Sequence, residues 1–191
     1  MGKTNTKAKS KHDRGWEFVK QKTRTCNKSF AEKIEQTRKK EINITSKFIN
    51  DSLNCQPRFL GCFAEDELES FSITSFPCYL IVNIDSVNMK GSHWIALGLF
   101  TDKIEIFDSL GFNIFNWSRV PSTLLNFLHN FSVSREVIIS PPIQTEDSVL
   151  CGFYCIYYVI TRVSKSFNEL SSRFDFKRRY KNDNILYNFF K

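Results

Sequence analysis

The stretch IQTEDSVLCGFYCIYYV, residues 143–159, passes from a polar loop directly into the most helix-like apolar run of the chain. It predicts a helix from Cys151 to about Val163. A cysteine that begins a helix faces unpaired N–H groups and the positive end of the helix dipole, which favour a thiolate. Gly152 is expected to let a substrate backbone approach, and Cys155 to pack inward. Cys151 is therefore a candidate nucleophile.

Strands and helices can be predicted outward from this stretch. A short helix near Thr45 and a loop around CQPRFLG (55–61) come first. Three β-type runs follow, at 78–84, 93–100 and 103–111, and a polar turn makes the last two an antiparallel hairpin. The remaining predictions are a helix with Pro121 in its first turn, a strand at 136–140, and a final amphipathic segment with Phe174, Phe176, Ile185, Leu186 and Phe189. This order predicts the α+β class.

Composition favours one globular domain of the chain's 191 residues. Hydrophobic residues make up 41%, with 19 Phe, enough for a sizeable core. There is no apolar run of membrane-spanning length, and the Lys-rich start lacks the apolar centre of a signal peptide. The six Cys are scattered without a CxxC pair and the chain has three His, so a zinc site has weak support and we predict no metal site. We expect the thiols to be reduced, as in the cytosol or nucleus.

Charge is distributed unevenly. Residues 1–50 carry a net charge of +9, residues 51–172 a net of −6, and residues 173–191 a net of +4. We predict a basic, largely disordered N-terminal arm over 1–43 and a folded domain over 44–191. The arm either contacts nucleic acid or serves as a solubilising tail.

A reactive thiol needs a base, a group that orients the base, and an oxyanion donor. Among the three His, His12 lies in the arm and His129 is expected to be a partly buried structural residue of a helix. His93 opens a strand, and Asp108 ends the partner strand of the hairpin, so the two should lie close together. Gln144 lies in the loop that returns to Cys151.

The joint order of these motifs is more specific than any one of them. It reads G-S-H-W (91–94), F-D-S-L-G (107–111) and then Q-x6-C-G (144–152). This order resembles the adenovirus-type cysteine proteases, with relatives in Polinton/Maverick elements and virophages and, more distantly, the SUMO-specific proteases. The resemblance implies an α+β fold whose mixed sheet carries the nucleophile at the start of a core helix. It implies His93 as base, Asp108 as third triad member, Gln144 as oxyanion donor and Cys151 as nucleophile.

Two features favour the adenoviral branch of that clan. Gln144 precedes Cys151 by seven positions, where SUMO proteases usually have six, and LNCQPRFLGCF (53–63) is similar to a stretch near the start of adenoviral proteases. Asp108 replaces the Glu of many of those enzymes. Between Cys78 and Cys151 there is no cysteine, so activation by a disulfide-linked peptide does not carry over. The resemblance still implies DNA or a peptide as an activator, although the sequence itself requires no cofactor.

The sequence thus predicts a cysteine endopeptidase that cleaves protein precursors, such as virion or capsid proteins, beside small residues such as Gly. It would act in the host nucleus or cytoplasm, or in the virion. A deconjugating protease for SUMO or ubiquitin-like modifiers and an inactive basic-armed binding module are the alternatives.

Overall fold

A five-stranded mixed sheet organises the fold. The computed structural model describes residues 30–39, 43–112 and 120–191. The strands lie in chain order and are β1 (Phe59–Ala64), β2 (Cys78–Asn83), β3 (Trp94–Leu99), β4 (Lys103–Phe107) and β5 (Glu136–Ile139). Strands β2, β3 and β4 are antiparallel neighbours, whereas β1 and β5 pair in parallel at the two edges. The predicted α+β class and the predicted hairpin are confirmed.

Helices cover both faces of this sheet. The α-helices are α1 (30–38), α2 (Ser46–Leu53), α3 (Ser122–Ser132), α4 (Cys151–Arg162), α5 (Phe167–Ser171) and α6 (Asn182–Phe190). Two short 3-10 helices, Glu65–Ser70 and Arg179–Lys181, complete the regular structure of the described residues. None of the helices in this part of the chain is long and apolar enough to cross a membrane.

The alternation of side chains along the central strands separates two cores. Tyr79 and Ile81 of β2 face one core with α4, whereas Leu80 and Val82 face the other core with α3. Every residue of β2 and β3 is buried. This is why their sequences read as continuous apolar runs rather than as alternating ones.

Helix α4 is the central helix of the first core. All residues from Gly152 to Val159 are buried, so the helix has no polar face along this length. The ring of Tyr158 stacks on Phe107 of β4 with centroids 4.9 Å apart. Burial on all sides fixes the helix against the sheet, and with it the position of Cys151 at its first turn.

The far end of α4 is held by a buried carboxylate. Glu105 of β4 is fully buried, and Arg162 donates to both of its oxygens, from Nε at 2.7 Å and from Nη2 at 2.9 Å. Tyr158 donates its hydroxyl to Oε2 at 2.9 Å, and the Lys103 ammonium lies 3.0 Å from Oε1. These bonds join α4 to the hairpin at the end opposite Cys151.

Replacing Glu105 by alanine is expected to destabilise the fold by about 3–5 kcal/mol, because the half-buried Arg162 and Lys103 would lose their carboxylate partner. The free energy of unfolding measured in urea tests this. Glu136→Ala, at an exposed glutamate of the next strand, is the matched control and should change stability by no more than about 0.5 kcal/mol. A loss below about 1 kcal/mol for Glu105→Ala would contradict the prediction.

Strand β1 differs from the predicted loop. The sequence was interpreted as a loop over 55–61 because of Pro57 and Gly61, yet Phe59–Ala64 pairs in parallel with β2. The register shifts between Phe59 and Gly61, and Gly61 has a φ of +141°. A glycine tolerates this conformation, so the strand continues through the irregularity. The predicted strand at 103–111 also ends earlier, at Phe107.

The packed part of the chain extends further back than Ile44, where the sequence placed its start. Residues 30–38 are helical, and Phe30 and Ile34 are buried. The Phe30 ring stacks on Phe190 of α6 with centroids 4.9 Å apart. The few apolar residues of α1 are enough to hold the helix against the domain because each of them is buried. The helix at 30–38 lies within the arm that was predicted to be largely disordered over 1–43, and residues 1–29 and 40–42 of that arm lie outside the described residues.

Candidate active site

His93 and Asp108 meet at one edge of the sheet. His93 directly precedes β3 and Asp108 directly follows β4, and the start and end of antiparallel neighbours lie side by side. Nε2 of His93 lies 2.8 Å from Oδ1 of Asp108. Both residues are buried, with 4% and 1% of their surface exposed, so water hardly competes for this bond.

The Asp108 carboxylate is fixed by the turn that follows it. Its Oδ1 also accepts from the Leu110 N–H at 2.9 Å, and its Oδ2 accepts from the Phe112 N–H at 3.3 Å. The Ser140 hydroxyl accepts from the Asp108 N–H at 2.8 Å and donates to its carbonyl at 2.7 Å. Side chain and main chain are thus both held, which gives His93 a stationary hydrogen-bond acceptor.

Cys151 is the first residue of α4 and is half-buried. Its side chain lies beside the His93 imidazole and contributes to raising the pKa of that ring. Since Asp108 occupies Nε2 of the imidazole, Nδ1 is the ring nitrogen that faces the sulfur. The main-chain N–H of a first helical residue has no partner within the helix and points away from it. The side chains of Cys151, His93 and Asp108 therefore lie next to one another in the order of a catalytic triad.

The imidazole is held in its charged form. Burial lowers the pKa of His93, but the hydrogen bonds to Asp108 and Cys151 outweigh burial and raise it from 6.5 to about 10. The imidazolium therefore persists through neutral pH beside the sulfur. Because its pKa is higher in the folded state, the charged form of His93 stabilises the fold. This stabilisation is complete below about pH 6.5 and is lost as the pH rises towards 10.

Other described thiols lie in different surroundings. Cys155 is fully buried one helical turn after Cys151, and burial raises its pKa well above the ordinary value. Burial also raises the pKa of Cys62, and that of Cys78 to about 11. The predicted packing role of Cys155 is confirmed by its burial in the core.

Gln144 is held in the loop that leads to α4. It is 1% exposed, and its Oε1 accepts from the Ser109 hydroxyl at 2.6 Å. Its Nε2 donates to the Ser148 carbonyl at 2.7 Å. An amide nitrogen carries two hydrogens, so this bond leaves a second N–H for another acceptor. Gln144 is thereby tied to the turn that carries Asp108 and to the segment that leads to Cys151.

Two predictions around the site are wrong. A Cβ on Gly152 would lie 2.9 Å from Ile44 and 3.3 Å from Trp94, so the missing side chain allows core packing and not the approach of a substrate. His129 is exposed on α3, because the buried side of that helix is formed by Leu124, Phe127 and Leu128. His12 lies outside the described residues.

Sequence reasoning missed the residues that support the site. Ser109 holds Gln144, Ser140 holds Asp108, and the fully buried Asn182 donates to the Ile143 carbonyl at 2.7 Å. The sequence gives only a weak indication of these roles, since each is a small polar residue next to a strand end, a proline pair or a helix start. Within 30–39, 43–112 and 120–191, no group of three His, Cys, Asp or Glu residues could hold a metal ion.

A thiol, an imidazole and a carboxylate thus lie together at one end of the mixed sheet. No protein-family model matches the chain. The sequence is 28% identical over 126 residues to a protease of Bovine adenovirus C serotype 10, covering 59% of this chain and 62% of the relative. The resemblance to the adenovirus-type proteases is thus confirmed.

Solved protease structures have a fold similar to that of this chain. The crystal structure of the ASFV pS273R protease aligns with a TM-score of 0.51 at 16% identity, over 78% of this chain and 66% of that one. Its selenomethionine form aligns with a TM-score of 0.50 at 15% identity. The chain therefore spans somewhat less than two thirds of the lengths of the relatives that it matches.

Proposed function

We propose that this chain is a cysteine endopeptidase that cleaves protein precursors. One observation supports the proposal most strongly: Cys151, at the start of α4, lies beside a buried His93 that Asp108 holds at 2.8 Å. A thiolate–imidazolium pair oriented by a carboxylate is the arrangement that nucleophilic cleavage of a peptide bond requires.

The reaction follows from the positions of these groups. The Cys151 thiolate attacks the peptide carbonyl carbon, and the carbonyl oxygen takes the negative charge. The Cys151 N–H and the Gln144 amide donate to this oxyanion. The His93 imidazolium gives its proton to the leaving amine as the C–N bond breaks. The neutral imidazole then takes a proton from water, whose oxygen attacks the thioester. The C–S bond breaks, the acid product leaves, and the thiolate–imidazolium pair is restored.

The proposed substrates follow from the family resemblance. We infer small residues such as Gly at the cleavage site and virion or capsid precursors as substrates. Gly-containing peptides and fusions of SUMO or ubiquitin-like modifiers, incubated with the purified full chain, test this directly. Cleavage of the peptides supports an endopeptidase, and cleavage of the fusions alone would make the chain a deconjugating protease. Failure of an active-site thiol probe to label Cys151 would instead indicate a binding module without activity.

Replacing Gln144 by alanine is expected to lower kcat by about 10²–10³-fold with little change in KM, because the amide meets the oxygen only once it carries charge. Steady-state cleavage of a short peptide measures both constants. Gln36→Ala, at an exposed glutamine of α1, is the matched control. A loss confined to KM would place Gln144 in substrate binding.

We also propose that the basic arm carries the affinity of this protein for nucleic acid. Residues 1–29 contain nine Lys or Arg against two Asp or Glu, whereas residues 51–172 have a net charge of −6. Binding through phosphates weakens with salt, with a slope of log K of about −0.9 per contact. The folded part of the chain is acidic over most of its length, so the arm is the better site for DNA.

Deleting residues 1–29 is therefore expected to remove most of the affinity for DNA and to flatten its salt dependence. With on the order of six phosphate contacts, the full chain should lose about a thousandfold in affinity between roughly 50 and 200 mM salt. The deletion stops before Phe30 because that ring packs in the core. Peptide cleavage should remain nearly unchanged. If the shortened chain binds DNA as tightly as the full chain, the contact lies on the folded domain.

A further inference from the structure

Ser109 joins the turn after β4 to the loop that carries Gln144. It is fully buried, and its hydroxyl lies 2.6 Å from Oε1 of Gln144. Its carbonyl accepts from the N–H groups of both Ile143 and Gln144, each at 2.8 Å. Three hydrogen bonds therefore connect one serine to two neighbouring residues of the loop, and two of the three involve Gln144.

The two hydrogen bonds of the Gln144 side chain determine the orientation of its amide group, that is, which partner Oε1 faces and which partner Nε2 faces. The Ser148 carbonyl can only accept, so Nε2 must be the atom 2.7 Å from it. Oε1 then points to Ser109, whose hydroxyl can donate. Turning the amide by 180° would place two carbonyl oxygens against each other at Ser148. Ser109 thus supplies the donor that makes the observed orientation complete.

We infer that Ser109 is a positioning residue that acts through Gln144 and directs its second amide N–H towards the oxyanion of the reaction. This inference rests on the proposed protease function. Oxyanion donors contribute to rate only when they are placed before the charge develops, and small displacements are costly. Ser109 directly follows Asp108. The same turn would therefore position both the carboxylate that orients His93 and the amide that donates to the oxyanion.

Removing the hydroxyl should leave the Gln144 amide held through Ser148 alone, so that its second N–H is less firmly directed. Oε1 would remain buried without the donor that it has in the intact protein. We expect Ser109→Ala to lower kcat by about 10–100-fold with KM nearly unchanged, a smaller effect than loss of the whole donor. The His93–Asp108 bond does not involve this hydroxyl, so the reactivity of Cys151 should not change.

The experiment measures kcat and KM for Ser109→Ala, Gln144→Ala and the double variant, together with the rate at which iodoacetamide alkylates Cys151. Alkylation uses the thiolate but forms no oxyanion, so it reports on the triad alone. We expect Ser109→Ala to slow peptide cleavage, to leave alkylation within about twofold of the wild type, and to have no further effect on kcat in the Gln144→Ala background. Ser171→Ala is the matched control, because Ser171 is a buried serine whose hydroxyl has no hydrogen-bond partner among the described residues.

Three results would overturn the inference: an unchanged kcat, alkylation that slows in parallel with cleavage, or effects of the two substitutions that multiply. Should Ser109→Ala fail to fold, the same cycle with Ser109→Cys, which keeps a weaker donor of similar size, decides between the same outcomes. Failure of the proposed function is recognised separately, because the wild-type chain would then cleave no peptide at all.

Discussion

Replacing Cys151 by alanine is expected to lower kcat/KM for a peptide substrate by about 10⁵–10⁶-fold, the typical result of removing a nucleophile from a catalytic triad. Cys62, Cys78 and Cys155 are buried, whereas Cys151 lies beside His93, which Asp108 holds at 2.8 Å. Cleavage of a fluorogenic peptide measures the loss, and the mass of the iodoacetamide-treated protein locates the reactive sulfur. We expect Cys151 to be labelled first near neutral pH.

Cys155→Ala is the matched control on the same helix. The Cys155 thiol is fully buried, so its removal should cost about 1 kcal/mol of stability while leaving cleavage largely intact. Residual turnover in Cys151→Ala would contradict the assignment of the nucleophile. Complete loss of turnover in a folded Cys155→Ala protein would contradict it as well.

Replacing His93 by alanine is expected to lower kcat/KM by about 10⁴-fold, because both the proton donor to the leaving amine and the charge that stabilises the thiolate are lost. Alkylation of Cys151 near neutral pH should slow as well. His129→Ala, at the exposed histidine of α3, is the control and should cleave peptides like the wild type. A His93→Ala protein that retains rapid alkylation would show that the imidazole does not support the thiolate.

The pH dependence of the wild type follows from the same pair. Since the pKa of His93 is raised to about 10, the imidazolium persists from neutral pH upward, and the alkaline decline of kcat/KM should fall well above pH 6.5. An alkaline decline near pH 6.5 would mean that His93 carries no charge in the resting protein.

Elements with continuous apolar patterns could be predicted from the sequence. The hairpin of β3 and β4 follows from two apolar runs separated by a polar turn, and α4 follows from an apolar run too long for a strand. The meeting of His93 and Asp108 follows from the hairpin, because the chain direction alone places their positions at one edge. For these parts, local sequence and tertiary structure agree.

Elements that depend on distant partners could not be predicted. Strand β1 contains a glycine and follows a proline, and it exists because β2 offers a parallel edge. Helix α1 has few apolar residues, and its place depends on Phe190, far along the chain. The same holds for Ser109, since nothing near it in the sequence indicates Gln144 as its partner. Contacts between residues far apart in sequence carry no local pattern.

Phe190, on which Phe30 stacks, lies near the end of the sequence, and this late position has a consequence for the nascent protein on the ribosome. The helix of Cys151 packs against Phe190 through Phe153, and the loop before it is held by Asn182. Cys151 therefore leaves the ribosome before the residues that complete its surroundings, by on the order of a few seconds at typical synthesis rates. We expect the thiol to remain unreactive during that interval, so that neither the growing chain nor its neighbours are cut before α6 has docked.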